Sequence, residues 1–320
     1  MKFLSKSLLV FVIISCLFVL TSCISSRQGK DISVNQNSSL GDIEHKTPEK
    51  TNPTEKENST ADQGKTGADK EVTVSEQVLL DKDGIKITLK GFQLDGIFGP
   101  SLKVLVENNT NEPITVQTRD TVVNGVMQTT TFSCDVVSGK KANDEIIIMN
   151  SGLDRAGIEV IKDIELKFHI FNTDTWDTIF DSEAIFITTT ADPSYVQKYD
   201  DSGFVALEKN GIKIVIKKLN VEDSFWGADV YVYVENNSSE DITVQVRDLS
   251  VNGFMMSPVF SCEVLAGRKA YDTITLFESE LEENGITSIE TMELAFHIFN
   301  TRTWETIIDS DSITANFDDQ

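Results

Sequence analysis

The feature that most constrains this chain is an internal repeat, because the second half of the sequence returns the first half at a nearly constant offset of 128 residues. The matched segments are VENN at 106 and 234, ITVQ at 114 and 242, VNG at 123 and 251, FSC at 132 and 260, and FHIFNT at 168 and 296. The offset is 127 at the earlier GIKI segments, at 84 and 211, so one residue was gained near Phe225 and Trp226. Each copy has about 115 residues, a normal size for one domain with its own core.

The repeat divides the chain into segments. Repeat 1 covers residues 78–190 and repeat 2 covers residues 204–317, with a short linker of residues 191–203 between them. Residues 1–22 and 23–77 precede repeat 1 and differ from it in composition. A unit of this length is too long for a solenoid repeat, which has about 20 to 50 residues. We therefore predict two tandem domains of one fold.

The pattern of apolar residues inside each repeat indicates β-structure. Apolar and polar residues alternate at 85–89, 102–106, 114–116, 132–136 and 166–170. Alternation with a period of two is typical of half-buried strands. The Asn124–Gly125 dipeptide favours a tight antiparallel hairpin, because both residues tolerate a positive φ. About seven to nine short strands per repeat predict an all-β chain of two immunoglobulin-like antiparallel β-sandwiches, with a closed barrel as the alternative.

One helical signal interrupts the strands of each repeat. Ser279 and Glu282 have the spacing of a capping box, and Gly285 provides a residue for a left-handed stop. Repeat 1 carries a similar set at Ser151, Asp154 and Gly157. We expect one short helix or turn in each repeat.

The run VENNTNEPITVQ, followed by VNG and FSC, resembles the immunoglobulin-like domains of unknown function in lipoproteins of Gram-positive bacteria. That group is related in structure to secreted mycobacterial immunoglobulin-like antigens. The resemblance covers both repeats and not the preceding segment. It implies a β-sandwich without known catalytic machinery, and it supplies no functional residues to transfer to this chain.

The N-terminal segment predicts export and lipidation. Two lysines precede an uncharged apolar run at residues 7–20, which is typical of a signal peptide and too short for a permanent membrane span. The stretch from Leu20 to Cys23 resembles the lipobox of bacterial lipoproteins. It implies removal of residues 1–22 and attachment of diacylglycerol to Cys23. An ordinary signal peptide or an uncleaved anchor is the alternative.

Charge and composition separate the next segment from the repeats. Residues 24–77 contain no Trp, Tyr or Phe and are rich in small and charged residues, which predicts a disordered tether after Cys23. The net charge is −23 at pH 7, and residues 78–320 contribute −22 of it. Such acidity argues against nucleic acid as a partner, because phosphate binding requires Lys and Arg. It favours cationic partners or divalent ions.

Few residues of the repeats have side chains suited to catalysis or metal binding. Cys134 and Cys262 occur once per repeat and alternate with apolar residues, so we predict buried, inert thiols and no disulfide within a repeat. His169 and His297 alternate with Leu, Phe and Ile, which places them on the outer face of a sheet. No zinc spacing and no nucleophile motif is present. We therefore expect no catalytic residues and no metal or cofactor besides the lipid.

Acidic pairs offer a weak calcium signal. They occur at 200–201, 309–311 and 318–319, and none has the spacing of a calcium loop. Solvated charge is the favoured interpretation.

Two further motifs occur in both repeats. Trp176 and Trp304 follow a turn, and we expect them to pack over the end of the core, with stacking on a carbohydrate or peptide as the alternative. Arg119–Asp120 and Arg247–Asp248 precede the hairpins. Each pair most often closes a local salt bridge, and the alternative is that Arg119 and Arg247 bind a carboxylate of a ligand.

The loop in which the repeats differ is a candidate contact surface. Repeat 1 has DGIFGP at 95–100, and repeat 2 has EDSFWG at 222–227. Loops on a rigid scaffold often carry binding residues. The predicted binding surface therefore consists of Phe98, Phe225 and Trp226, together with the two arginines.

These features favour a non-catalytic lipoprotein, anchored in the cell membrane by its lipid and facing the extracellular or envelope side. Its expected role is to bind an envelope protein or polymer through two domains. An accessory subunit of an envelope assembly or transport complex is the second hypothesis, and an envelope enzyme is the third. A two-lobed solute-binding protein would need parallel strands alternating with long helices, and the sequence predicts neither.

Overall fold

The computed structural model describes residues 72–222 and 224–317. The signal peptide, Cys23 and most of the predicted tether lie outside the described residues. Both repeats belong to one compact unit of the chain. Nearly all regular structure in it is β-strand, so the prediction of an all-β, immunoglobulin-like sandwich fold is confirmed. No helix in the described residues is long and apolar enough to span a membrane.

Repeat 1 contains, in order, β1 (Gln77–Lys82), β2 (Ile85–Gln93), β3 (Ser101–Asn108), β4 (Ile114–Val123), β5 (Val126–Met127), β6 (Thr130–Thr131), β7 (Ser133–Val136), β8 (Lys140–Ile148), α1 (Asn150–Arg155), β9 (Asp163–Asn172), β10 (Thr178–Asp181) and β11 (Ile185–Thr188). Repeat 2 contains β12 (Phe204–Lys209), β13 (Ile212–Asn220), β14 (Gly227–Asn236), β15 (Ile242–Val251), β16 (Phe254–Met255), β17 (Ser261–Val264), β18 (Lys269–Phe277), α2 (Glu278–Glu283), β19 (Thr291–Asn300), β20 (Thr306–Asp309) and β21 (Ile313–Asn316).

Two sheets face each other in each repeat. In repeat 1 the first sheet has the order β1-β2-β3-β8-β6, and the second is built on β4 and β9, with β5, β7, β10 and β11 beside them. Repeat 2 has the matching pair, β12-β13-β14-β18 against a sheet built on β15 and β19. The inward residues of the alternating strands form one apolar core per repeat. Phe168 and Phe296 are fully buried at equivalent positions of these cores.

The predicted turns and buried thiols are found. Asn124 and Gly125 have φ of 49° and 83°, and Asn252 and Gly253 repeat these values closely, as a tight hairpin requires. Cys134 is buried in the core of repeat 1, and burial raises the pKa of its thiol to about 12. Burial also raises the pKa of Cys262. Both thiols are free.

Each repeat has one short helix, as expected, but the prediction of a capping box in repeat 2 is wrong. The helix α2 begins at Glu278, one residue before Ser279, and Phe277 at the N-cap makes no side-chain capping bond. Glu280, which was not part of the predicted box, accepts from the backbone N–H of Ser257 at 3.0 Å. The predicted stop is present, because Gly285 has φ of 67° and Gly157 has φ of 61°.

The segment before repeat 1 contacts it earlier than the sequence indicated. The backbone N–H of Thr190 donates to the carbonyl of Thr73 at 2.8 Å, and the N–H of Thr73 donates to Thr190 Oγ1 at 2.8 Å. Val74 packs against the core of repeat 1. Contacts with repeat 1 therefore begin before residue 78, within the segment that we assigned to the tether.

The repeats are joined by backbone pairing as well as by the linker. The N–H of Lys269 in β18 donates to the carbonyl of Gly125 at 3.1 Å, which makes one ten-stranded sheet from strands of both repeats. Arg268 pairs with Glu165 at 2.6 Å, and Arg155 Nη1 donates to the carbonyl of Tyr271 at 3.4 Å. These contacts restrict motion between the repeats.

The surface of repeat 2 that receives repeat 1 is not duplicated. Val215, Tyr233 and Tyr271 pack into the same apolar cluster as the core of repeat 1. At the positions equivalent to Tyr233 and Tyr271, repeat 1 has Leu105 and Asn143. The repeats therefore share a fold but not this docking face.

Candidate binding surfaces

The exposed apolar loop of repeat 2, which we call the tip, consists of Val221, Phe225 and Trp226. Phe225 is 85% exposed and Trp226 is 59% exposed. Their rings meet edge to face with centroids 4.9 Å apart, and Trp226 packs in the same way on Phe277 at 6.4 Å. The carbonyl of Trp226 accepts from the N–H of Glu278 at 2.7 Å. The two aromatic side chains are thus exposed on a loop that is anchored to β18 and α2.

An apolar pocket opens beside the tip. Its volume is about 470 Å³, and its apolar walls are Leu219, Val221, Leu281, Ile286 and Phe317. The pocket lies between α2 and the strands that flank the tip. An exposed apolar surface next to an apolar cavity is a common feature of binding sites.

The equivalent loop of repeat 1 has a different neighbourhood. Phe98 is 64% exposed, and its carbonyl accepts from the N–H of Asn150 at the start of α1, at 2.9 Å. The same end of repeat 1 contacts repeat 2 through Gly125 and Arg155. Among the described residues, no hydrogen bond or ion pair joins the tip to repeat 1. Phe98 and the tip therefore have different neighbours.

Neither arginine of the Arg–Asp motifs pairs with the adjacent aspartate, so the prediction of a local salt bridge is wrong. Asp120 pairs with Lys167 at 2.7 Å, and Arg247 pairs with Asp309 at 2.6 Å. The strand register shifts just after each arginine, where the aspartate has φ of 52°. This β-bulge turns the aspartate away from its neighbour.

Arg119 lies in a cleft between the repeats. The cleft has a volume of about 870 Å³ and is lined mainly by charged residues, among them Arg119, Lys167, Asp241, Glu263 and Arg302. Burial raises the pKa of Glu263, and the positive charge of Arg119 opposes that shift. Arg302 pairs with Asp241 at 2.8 Å. The five candidate binding residues therefore occupy four places, and only Phe225 and Trp226 contact each other.

The tryptophans that we expected to pack over the core are exposed, which corrects that prediction. Trp176 is 75% exposed and Trp304 is 60% exposed. Each lies flat on a phenylalanine: Trp176 on Phe171 at 5.5 Å, and Trp304 on Phe299 at 5.2 Å between ring centroids. The phenylalanine is on the outer face of its sheet, so the tryptophan covers that face and not the core.

The histidines lie on the outer face, as predicted, and each is held by an aspartate. His169 Nδ1 and Asp181 Oδ1 are 2.6 Å apart, and His297 and Asp309 repeat this distance. The ring of His169 packs against Phe171 with centroids 5.4 Å apart. Each repeat therefore has an outward row in the order aspartate, histidine, phenylalanine, tryptophan. The alternation of His169 with Phe171 in the sequence contained this signal, because residues i and i+2 of a strand share a face.

The acidic pairs considered for calcium have cationic partners. Asp201 pairs with Lys213 at 2.8 Å, and Asp309 is held by His297 and Arg247. In the part of the chain that the structure describes, no group of three or more His, Cys, Asp or Glu residues could hold a metal ion. Asp318 and Asp319 lie outside the described residues.

Asp200 fixes the linker to repeat 2. Its carboxylate accepts from Ser202 Oγ at 2.6 Å and pairs with Lys217 at 2.9 Å, and both interactions lower the pKa of Asp200. The carbonyl of Asp200 accepts from Tyr271 Oη at 3.0 Å. The linker is thus bonded to the same tyrosine that packs against repeat 1.

We expect Asp200→Asn to lower the free energy of unfolding at pH 7 by about 1 kcal/mol or less, because the side chain is mostly exposed. A carboxylate with a lowered folded-state pKa stabilises the fold above its unfolded pKa, here near 3.8, and that contribution is lost as the pH falls further. Urea denaturation at several pH values measures the difference between wild type and variant. It should shrink below about pH 4. Asp95→Asn, at an exposed carboxylate, is the control, and an equal effect of both variants would contradict the assignment.

Comparisons with known proteins show no family for this chain. No protein-family model matches the chain, and no curated protein matches it. Among solved structures, the crystal structure of the YadV chaperone matches with 14% identity and a TM-score of 0.21, covering 68% of this chain and 92% of that one. The Salmonella enterica SafA pilin in complex with the SafB chaperone matches with 10% identity and a TM-score of 0.18, covering 68% and 89%. Nothing about the function of this chain follows from likeness at this level, and the resemblance to Gram-positive lipoproteins stays a prediction.

Proposed function

We propose that this protein is a non-catalytic cell-envelope lipoprotein, held at the membrane by lipid on Cys23, whose repeats form a binding module for another envelope component. The observation that carries the proposal is the tip. Two large aromatic side chains are exposed there on an anchored loop, beside an apolar pocket. Leaving such groups in water is unfavourable, and their burial by a partner would contribute to binding.

The arrangement of the chain supports this role. Two or three acyl chains on Cys23 would hold the protein firmly, because each buried methylene contributes about 0.8 kcal/mol. The predicted tether of residues 24–77, treated as a flexible coil, has a reach of about 40 Å. The contacts between the repeats then present the tip as part of one body rather than on a loosely jointed domain. The preformed surface lowers the entropy lost on binding.

An accessory subunit of an envelope assembly or transport complex is the second candidate. It uses the same anchor and the same surface, and it differs in that the partner is an integral membrane protein. An enzyme is less favoured, because no nucleophile and base come together among the described residues and both described cysteines are buried with raised thiol pKa.

The test is cross-linking on intact cells that express the lipidated full-length protein, with captured partners identified by mass spectrometry. We expect Phe225→Ala with Trp226→Ala to reduce capture of a specific partner at least fivefold, because the exposed aromatic area is removed. Phe186→Ala removes a similarly exposed aromatic residue of repeat 1 and should leave capture unchanged. Cys23→Ala should release the protein from the membrane and abolish capture of membrane-bound partners.

The outcomes separate the candidates. Capture of membrane-complex subunits would favour the accessory role, and capture of glycan or wall polymer alone would favour polymer binding. Capture that is insensitive to both aromatic substitutions would remove the tip as the binding surface.

A further inference from the structure

A second surface, which the tip does not include, is present in both repeats. We define the aromatic row as Asp181, His169, Phe171 and Trp176 in repeat 1, and as Asp309, His297, Phe299 and Trp304 in repeat 2. The two rows agree closely. The His–Phe centroid distances are 5.4 and 5.3 Å, and the Phe–Trp distances are 5.5 and 5.2 Å with nearly parallel rings.

The tryptophan is the unexpected member of the row. Trp176 has φ of +65° and Trp304 has φ of +62°. Residues other than glycine and asparagine rarely adopt this backbone conformation. The turn holds this geometry, because Asn172 Oδ1 accepts from the N–H groups of Asp174 and Thr175, and the Asn172 carbonyl accepts from the N–H of Trp176 at 2.9 Å. A glycine would satisfy the turn with less strain. The turn therefore places a large aromatic ring at the surface at a cost in stability.

The duplication argues for a shared role. The tip loops, which are also exposed, have diverged between the repeats, as DGIFGP and EDSFWG show. The row residues are identical in type in both repeats, and so are the turn residues Asn172 and Thr175, at Asn300 and Thr303. Each tryptophan shields Phe171 or Phe299 from water, but a smaller apolar residue with an unstrained backbone would do the same. Shielding alone therefore does not explain why both repeats have a tryptophan there.

Two carboxylates belong to the turn that carries each tryptophan, and their charge favours a cationic ligand. Glu112 Oε2 accepts from Asn172 Nδ2 at 2.9 Å, at the base of the turn, and Asp177 directly follows Trp176. Repeat 2 has Glu240 on Asn300 at 2.9 Å and Glu305 after Trp304. Within the described residues, none of these four carboxylates has an ion pair. A tryptophan face beside unpaired carboxylates attracts a cation through both the ring quadrupole and the negative charge.

We propose that each aromatic row binds a cationic side chain, lysine or arginine, of a basic polypeptide segment, with one such site per repeat. The cation lies over the exposed face of Trp176 or Trp304, and the glutamate and the following acid neutralise its charge. The site is separate from the tip, so its failure and the failure of the proposed function can be told apart.

The experiment is a titration of the full-length lipidated protein in detergent with a fluorescein-labelled peptide of eight lysines, followed by anisotropy. We expect Trp176→Ala or Trp304→Ala to weaken binding about threefold, and both together to weaken it at least tenfold. Phe186→Ala, at an exposed aromatic residue outside the tip and the aromatic rows, is the control and should leave the affinity unchanged. A peptide of the same length with acetylated lysines should not bind, because acetylation removes the charge. Thermal unfolding of each variant checks that the fold is retained.

A second pair of variants tests the carboxylates. Glu112→Gln with Glu240→Gln keeps the hydrogen bond to the turn and removes the charge, and it should weaken binding about threefold to tenfold. Peptide binding that is equal in wild type and in the double tryptophan variant would overturn the proposal, because the general acidity of the surface would then explain it. Binding of soluble wall oligosaccharides that requires both tryptophans, without binding of the lysine peptide, would also overturn it.

Discussion

Replacing Gly227 with alanine is expected to lower the free energy of unfolding by roughly 3 kcal/mol, because the new methyl group would collide with backbone atoms. Gly227 begins β14 with φ of +141°, and a Cβ there would lie 2.3 Å from the N of Glu278 and 2.5 Å from the O of Leu276. These atoms belong to the junction of β18 and α2 and cannot move individually. The substitution should therefore also displace the tip, which is anchored to that junction.

The matched control is Gly267→Ala in the same repeat. Gly267 also has a positive φ, of 72°, but a Cβ there meets no atom within 4 Å. This variant should lose only about 1 kcal/mol, from backbone strain alone. Urea denaturation of both variants measures the difference, and equal losses would show that the close approach of Gly227 to the helix is not what matters.

The second large effect is expected at a buried asparagine. Asn236 has no solvent exposure, and its Nδ2 donates to the carbonyls of Glu240 at 2.8 Å and Val264 at 2.9 Å. Its Oδ1 accepts from the N–H and the hydroxyl of Ser238. Asn236→Ala should lower the free energy of unfolding by about 3 kcal/mol, because buried backbone groups lose their partners.

Asn237→Ala is the control, because Asn237 is exposed and its backbone N–H, which donates to the Gly211 carbonyl, remains in the variant. We expect a change of about 0.5 kcal/mol or less. Asn108 makes the same set of bonds in repeat 1, so Asn108→Ala should resemble Asn236→Ala. A small effect at both buried asparagines would mean that water or local rearrangement satisfies the exposed carbonyls.

The asparagines also show how far local sequence reasoning extends. The repeated Asn-Asn dipeptide predicts a turn, and a turn is present after β3 and after β14. Only the structure shows that the first asparagine of each pair also bonds across to the strand β7 or β17, 28 residues later. The dipeptide predicts the turn, whereas the packing of the two sheets determines which distant carbonyl the asparagine side chain bonds.

The sequence by itself determined the repeat, the all-β class, the hairpins and the burial of both cysteines. These features depend on periodicity and on the backbone preferences of a few residues, which are local properties. The tertiary structure alone decided what covers each outer face. Arg247 reaches Asp309 and Gly125 pairs with Lys269 because these partners are distant in the chain, and Trp176 lies on Phe171 because the turn between them ends with Trp176 at a positive φ. The candidate surfaces are therefore defined by packing between strands, which alternation within one strand does not encode.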